Sequence, residues 1–245
     1  MVASVERTAY PQFRRVISGR ELDEAFTPTR DEVGWARART TTERHRLALL
    51  VLLKCYQRLG YFPNLLKVPC EVISHVRVQV GIEGGVLAVH EAQATAKWHR
   101  GLIRERLGVK YQPSEVRALA AAALREAART KDNPADLINA ALEILVKERR
   151  ELPGYTTLDA LATRIRTEVN TELIALVGSR LGEEDTARLL GLFGVAPGER
   201  RSGYDKLKDT ARNPSISKLK RWLEHLNTLD ALGPTGVFPI LLTPV

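Results

Sequence analysis

The sequence TKDNPADLINAALEILVKERRELPGYTTLDALATRIRTEVN, residues 130–170, predicts two amphipathic helices that meet at a sharp turn. Asn133 can cap the first helix, and Pro134 has the φ angle that a first helical residue needs. Apolar residues then recur every three or four positions and form one stripe: Leu137, Ile138, Ala141, Leu142 and Leu145. Pro153 and Gly154 end this helix and form the turn.

The second helix is expected to begin at Thr157, whose hydroxyl can cap it. Its buried stripe consists of Leu158, Leu161, Ile165 and Val169. Arg164 and Arg166 project from other faces of the helix, toward solvent or a polyanion. Two capped helices on a basic background are typical of a helical nucleic-acid-binding protein.

Helix signals recur along the rest of the chain, and no series of alternating strands is found. Thr29 and Glu32 form a capping-box pattern before a short helix. A helix over residues 43–59 buries its leucines and keeps Arg44, Arg46, Lys54 and Arg58 outside. Further helices are expected to start near Pro69 and to cover residues 90–107, 114–130 and 217–232. The predicted class is all-α, built from tandem helical modules of helix-turn-helix character.

Breaks in this pattern predict the domain organisation. Residues 1–110 form a first helical DNA-binding module and residues 111–192 form a second. Residues 193–203, rich in glycine, form a linker. Residues 204–233 form a basic helical segment, and residues 234–245 form a divergent tail.

Composition limits the classes of partner. The 245 residues carry 37 basic and 29 acidic side chains, a formal charge of +8, and the isoelectric point is about 9.7. This charge favours an anionic partner and leaves nucleic acid, an acidic protein and a membrane surface open. No apolar run reaches the length of a membrane span, so a membrane partner is not expected.

Neither a metal site nor a cofactor site is predicted. The five histidines lack zinc-type spacing, and the glycine-rich run at residues 81–85 lacks the Gly-Lys-Ser/Thr ending of a phosphate loop. Acidic residues cluster at helix starts, where capping explains them. Cys55 and Cys70 are expected to be reduced, buried thiols of a cytosolic protein.

Basic clusters are the candidate DNA contacts, although a solvated helix face explains many clusters of this kind. They recur in each helical unit, which favours phosphate contacts. Trp98 lies beside one cluster; it could stack on a base, but an indole on an amphipathic helix more often serves the core. The cluster residues interpreted as DNA contacts are Arg37, Arg39, Arg44, Arg46, Arg100, Arg104, Arg164, Arg166, Lys208, Arg212, Lys218 and Arg221.

Several ordered blocks carry a resemblance to a known family: LLVLLKCYQRLGYFPNLLKVP at residues 49–69, WHRGLIRERLGV at residues 98–109, the stretch at residues 130–170, and PSISKLKRWLEHLNTLDALGPTGV at residues 214–237. Together they resemble the amino-terminal region of replicative transposases of the Tn-three type. The resemblance covers the chain from about residue 10 to residue 237.

This resemblance implies helical modules that grip the terminal inverted repeats of a transposon. It also implies that the integrase-like catalytic domain lies outside this chain, so no catalytic residue is expected and the chain is not an enzyme by itself. The DNA-side residues that it implies are Arg58, His99, Arg100, Arg104, Lys131, Asn133, Arg164 and Arg166. The expected partner is double-stranded DNA at transposon ends, and the expected location is the bacterial cytoplasm, at the nucleoid when DNA is bound.

The carboxyl end departs from the family pattern. After residue 237 the chain reads FPILLTPV where a basic helix is expected, which predicts a truncated or frameshifted transposase. An alternative function is therefore a helical protein-interaction remnant that binds and modulates intact transposase. Salt separates the two hypotheses, because only contacts with phosphates release counterions in large number.

Overall fold

A computed structural model describes residues 5–90, 92–195, 197–208 and 215–231 of the chain. Within these ranges the only β-type pairing is an isolated bridge between Lys110 and Arg150, and the predicted all-α class is confirmed. A π-helical segment, Leu22–Phe26, and short 3-10 helices complete the regular structure. The α-helices are α1 Gly19–Glu21, α2 Arg30–Arg39, α3 Glu43–Leu59, α4 Cys70–Gln79, α5 Gln93–Leu107, α6 Pro113–Ala128, α7 Pro134–Lys147, α8 Tyr155–Gly178, α9 Glu183–Gly191, α10 Gly203–Leu207 and α11 Ile216–Ala231.

The chain divides into two compact units, Met1–Val169 and Asn170–Val245. This division places one boundary inside α8, whereas the sequence predicted boundaries at 110/111, 192/193 and 203/204. The finer module boundaries stay predictions.

Helix α3 forms the centre of the first unit. Residues 47–56 are all buried, and α2, α4, α5 and the Leu22–Phe26 segment contact this helix. A helix that is apolar on almost every side must be enclosed by neighbours. Lys54 was expected outside, but it is only 7% exposed, and its Nζ lies 3.4 Å from Oε2 of the buried Glu32. The ion pair with Glu32 offsets the cost of burying the charged ammonium group of Lys54.

Local sequence signals set most helix starts. The capping box of Thr29 and Glu32 is present in both directions, and Asn133 caps α7 with Pro134 as its first residue, as predicted. Helix α5 starts at Gln93, three residues later than expected, and α8 starts at Tyr155, two residues before Thr157. Boundaries of this kind shift easily by a residue or two because helix ends have few intrahelical bonds.

Helices α6 and α7 form the most extensive helix pair of the first unit. Helix α6 buries Val116, Ala120 and Leu124 at helical spacing, and α7 buries the stripe predicted for it. Small alanines let the two backbones approach closely. The turn after α7 then carries the chain back to α3, where Leu152 N donates to Gly60 O at 2.9 Å.

Gly60 is required at that contact. Its φ is +74°, and a Cβ there would lie 3.1 Å from Cδ1 of Leu152. Only glycine adopts this backbone conformation without strain and leaves room for the leucine. Tyr10 strengthens the same junction, because its hydroxyl donates to Pro153 O at 3.0 Å.

Among the described residues, the second unit has fewer buried apolar side chains than the first. Tyr204 N donates to Leu192 O at 2.9 Å, and the Phe193 and Tyr204 ring centroids lie 4.9 Å apart, so α9 and α10 are joined at one end. Helix α11 exposes most of its large apolar side chains.

The two cysteines lie in different environments. Both are free, as expected, and Cys55 is buried within α3. Cys70 is exposed at the start of α4, so the prediction of a buried thiol is wrong there. It is the first helical residue, where the side chain points away from the core that Val72 and Val76 contact.

Candidate nucleic-acid interface

Helices α3 and α5 cross at two histidines. His45, in the first turn of α3, has its ring centroid 6.0 Å from that of His99 in α5, with the ring planes 84° apart. His90, which precedes α5, places Nε2 2.8 Å from Nδ1 of His99. Thr42 caps α3 next to this crossing by accepting from His45 N. The amino-terminal end of α3 is therefore fixed against the middle of α5.

His99 is fully buried, so its side chain supports the crossing from inside. The resemblance implied a DNA-side role for it, but a residue in this position cannot reach DNA directly. Burial lowers the pKa of His99 to about 4, and the neighbouring His90 and His45 act in the same direction. The pKa of His90 is also lowered, mainly by burial and then by the positive charge of Arg100. His90 and His99 are therefore neutral at physiological pH.

Basic residues lie at the end of α2, in the first turn of α3 and in the first half of α5, and we call them the α3–α5 basic surface. Acidic residues are scarce around it: residues 33–50 contain only Glu43, and residues 92–104 contain none. In the described part of the chain, Arg37, Arg39, Arg46, Lys97 and Arg100 have no acidic side chain within ion-pair distance, and Arg37, Arg39 and Lys97 are exposed. The α3–α5 basic surface consists of Arg37, Arg39, Arg44, Arg46, Lys97 and Arg100.

Sequence reasoning missed Lys97 as a site residue and assigned Trp98 to the core. Trp98 is 48% exposed, and its ring centroid lies 5.3 Å from that of His99. The prediction of a core tryptophan is wrong because His99, the next residue, takes the buried position of this helical turn. Trp98 and Lys97 are neighbouring exposed residues of α5, so a flat apolar group lies beside one cation of the basic surface.

Other predicted DNA residues have acidic partners within the protein. Arg58 donates to Glu21 at 3.2 Å, and Arg166 holds Asp132 with two hydrogen bonds of 2.6 and 2.7 Å. The second geometry is the bidentate fork that an arginine would otherwise offer to a phosphate. These guanidinium groups stabilise the fold in the unbound chain.

Arg104 is the most enclosed of these side chains. Its Nε donates to Oε2 of Glu151 at 2.7 Å, and the two side chains are 17% and 13% exposed. Its guanidinium carbon lies 3.7 Å from the ring centroid of Tyr111 and 5.1 Å from that of Phe62. This cation contacts two aromatic rings and bonds to a carboxylate, as is typical of a structural arginine.

The remaining residues that were predicted to contact DNA lie on separate helices and loops. Asn133 caps α7 by accepting from Ala135 N at 3.0 Å, and Lys131 is exposed beside it. Lys208 lies 3.5 Å from Asp205 and above the Tyr204 ring. Lys218 and Arg221 belong to α11. Arg212 lies outside the described residues.

A second, smaller feature lies between α6 and α8. A groove of about 460 Å³ is lined by small side chains from both helices, with Arg117 and Arg164 among its lining residues. Arg164 also lies 3.5 Å from Glu168, one turn further along α8. Sequence reasoning selected Arg164 but not Arg117, because nothing local in the sequence shows that α6 and α8 are neighbours.

The described residues contain no group of three or more His, Cys, Asp or Glu side chains that could hold a metal ion. None of the described helices combines the length and apolarity that crossing a membrane requires. The structure thus offers a basic surface as its most prominent site.

The chain matches one family model, described as Domain of unknown function (DUF4158), over residues 2–165. This range is about two thirds of the chain and lies within the first compact unit. No curated protein matches the sequence.

Proposed function

The chain belongs to the DUF4158 family, and we propose that it binds double-stranded DNA at the terminal inverted repeats of a transposon, as the non-catalytic amino-terminal part of a transposase. The observation that carries DNA binding is the α3–α5 basic surface. The observation that specifies transposon ends is the resemblance of four ordered sequence blocks to transposases of the Tn-three type.

The α3–α5 basic surface has the chemistry that a DNA backbone requires. Its cations without acidic partners can meet phosphates without first breaking an internal ion pair. The amino-terminal end of α3 adds the positive end of a helix dipole, which favours a phosphate at the same place. Thr42 and His45 hold this helix end in place in the unbound chain, so little conformational entropy is lost there when DNA binds.

Phosphate contacts give affinity, whereas contacts with base edges give sequence preference. Trp98 and Lys97 are exposed on α5, and a helix is the element that enters a major groove most readily. We propose that α5 supplies base contacts and that the α2–α3 corner, with Arg37 and Arg39, holds the backbone. The groove with Arg117 and Arg164 is a second place for a phosphate.

A second candidate function is a protein-interaction module that modulates intact transposase. The observation that favours it is the apolar face of α11, where Ile216, Leu219, Leu223 and Leu226 are all more than half exposed. An apolar interface would depend only weakly on salt, whereas DNA binding would depend on it strongly.

The test is fluorescence anisotropy of the 245-residue chain on a duplex carrying the terminal inverted repeat, beside a shuffled duplex, across a salt series. We expect tighter binding to the true end and a steep loss of affinity with salt, with a slope of about 0.9 per phosphate contacted. Lys97→Ala and Arg100→Ala should each weaken binding and reduce the slope by about one.

Arg20→Ala is the matched control, because it removes the same charge from an exposed arginine that pairs with Glu24. Equal affinity for the true and shuffled ends would refute end recognition. An equal effect of the control and of the surface variants would refute the location of the site. Nicking of the duplex in Mg²⁺ or Mn²⁺ would contradict the non-catalytic role.

A further inference from the structure

A cavity of about 600 Å³ lies between the loop that follows α3 and the start of α5. It belongs to the first unit and is larger than the groove between α6 and α8. It opens to solvent, because four of the residues that line it are exposed: Asn64, Leu66, Ala92 and Gln93. Its volume is within the range of about 300–1,000 Å³ in which proteins hold small organic ligands.

One wall of the cavity is apolar and contains an aromatic ring. The loop after α3 supplies this wall, with Phe62, Pro63, Leu65 and Leu66. Leu66 is 80% exposed, although a leucine side chain gains free energy by leaving water. A flat apolar ligand that rested against this wall would cover Leu66. Nucleobases bind to aromatic and apolar protein surfaces in this way.

The opposite wall favours negative charge. Arg100 lines the cavity, and its Nε is buried without a hydrogen-bond partner in the described part of the chain. Ala92 is the N-cap residue of α5 and has no side-chain oxygen to cap the helix, so the first amide groups of α5 can meet an anion. No acidic side chain is found among the described residues that line the cavity. A buried donor without an acceptor is costly, so a bound phosphate would stabilise this wall.

We propose that this cavity holds one unpaired nucleotide of the bound DNA, with its base turned out of the duplex; this inference rests on the proposed function. The base lies against Phe62 and Leu66, and the phosphate meets Arg100. The two positions are close, because the guanidinium carbon of Arg100 lies 5.9 Å from the ring centroid of Phe62. The exposed amide of Gln93 offers a donor and an acceptor to the edge of the base.

The cavity is continuous with the α3–α5 basic surface, because Arg100 belongs to both. His90 also lines the cavity and bonds to His99 at the crossing of α3 and α5. A strand held along α5 therefore reaches the cavity without leaving the basic surface. Turning a base out of a duplex costs unpairing and unstacking, and a bulged base has already lost these contacts. We therefore expect a preference for DNA that carries an unpaired base.

Fluorescence anisotropy of the full chain on matched duplexes measures this preference. The first duplex is fully paired, the second carries a single extra nucleotide in one strand, and the third carries an abasic residue at that extra position. The extra nucleotide should strengthen binding by about tenfold, since its base needs no unpairing. The abasic duplex should bind like the paired duplex, because it has the flexible backbone of the bulge without the base.

Filling the cavity should remove the preference. Ala96 lines the cavity, and Ala96→Leu should abolish the tighter binding of the bulged duplex while it changes the affinity for the paired duplex by less than about twofold. Ala94→Leu is the matched control, because it makes the same change at an exposed residue of α5 outside the lining, and it should keep the preference. Gln93→Ala, a smaller change at an exposed position, should reduce the preference by about threefold. All three variants should keep the wild-type circular dichroism spectrum.

Titration with free deoxyadenosine 5′-monophosphate separates a nucleotide of DNA from a free nucleotide. We expect a dissociation constant above about 1 mM, and much tighter binding would overturn the proposal by identifying a site for free nucleotides. Equal affinity for the paired and bulged duplexes, an equal gain with the abasic duplex, or a preference that persists in Ala96→Leu would overturn it and leave the proposed DNA binding intact. Absence of binding to every duplex would overturn both.

Discussion

Replacement of Arg104 by alanine should lower the stability of the first unit and leave direct DNA contacts intact. The guanidinium lies between two aromatic rings and bonds to Glu151 from a largely enclosed position. Arg104 belongs to α5, and Glu151 belongs to the turn after α7. The substitution therefore breaks a connection between distant parts of the sequence.

The magnitude follows from what the substitution leaves behind. Removing one partner of a buried ion pair costs about 3–5 kcal/mol, because the other charge stays desolvated without compensation. The side chains here are 17% and 13% exposed, so water relieves part of that cost. Loss of two cation–π contacts adds about 0.5–1 kcal/mol each. We expect a total loss of about 3–5 kcal/mol.

Urea unfolding followed by circular dichroism measures this loss. With a slope of about 2 kcal/mol per molar urea, the midpoint should fall by about 1.5–2.5 M. Glu151→Gln in the Arg104→Ala background should recover part of the loss, because it removes the uncompensated charge. Arg100→Ala is the control on the same helix and should leave the midpoint nearly unchanged.

The opposite pattern would refute the assignment of Arg104 to the scaffold. If Arg104→Ala kept the wild-type midpoint but weakened DNA binding as strongly as Arg100→Ala, the ion pair with Glu151 would be incidental. Arg104 would then belong to the DNA interface, as the sequence resemblance implied.

Two further predictions concern groups that the fold buries. His99 stays neutral in the folded chain to a pH of about 4, whereas in the unfolded chain it is protonated below about 6.5, so its contribution to stability is complete above pH 6.5 and is lost as the pH falls toward 4. The urea midpoint of the wild-type chain should fall across this pH range, and the midpoint of His99→Gln should fall less. An equal pH dependence of the two midpoints would contradict a buried, neutral His99. Burial raises the pKa of Cys55 to about 12, so at neutral pH a maleimide should label Cys70 quickly and Cys55 only after unfolding, and rapid labelling of both native thiols would show that α3 is not enclosed.

Much of the helical structure could be predicted because its signals are local. The capping box of Thr29 and Glu32 and the Asn133–Pro134 start each depend on residues within one helical turn. The apolar residues of α3 likewise require enclosure whatever encloses them. Such features need no knowledge of which helices are neighbours.

The site could be predicted only in part, because ion pairing is not local. Arg58 and Glu21 are 37 residues apart, Arg166 and Asp132 are 34 apart, and Arg104 finds Glu151 at a separation of 47. A basic cluster has the same appearance in sequence whether its charges face phosphate or carboxylate. The burial of His99 is likewise hidden, because it depends on where α3 crosses α5.

The contacts across residue 110 bear on how the DNA-binding part should be isolated. Leu152 bonds to Gly60, Pro153 accepts from Tyr10, Asn139 accepts from Ala9 N at 2.7 Å, and Arg104 pairs with Glu151. A fragment that ended at residue 110 would leave Arg104 without its carboxylate and expose the apolar surface around Gly60.

The α3–α5 basic surface, although all its residues precede residue 110, is thus held by a scaffold that extends to the start of α8. The family match over residues 2–165 covers both the surface and this scaffold. Residues that precede 110 can supply the phosphate contacts only while the later helices hold α5 in place. Loss of DNA binding on truncation at 110 would therefore report loss of the scaffold, and only surface substitutions that keep the urea midpoint identify the contacts themselves.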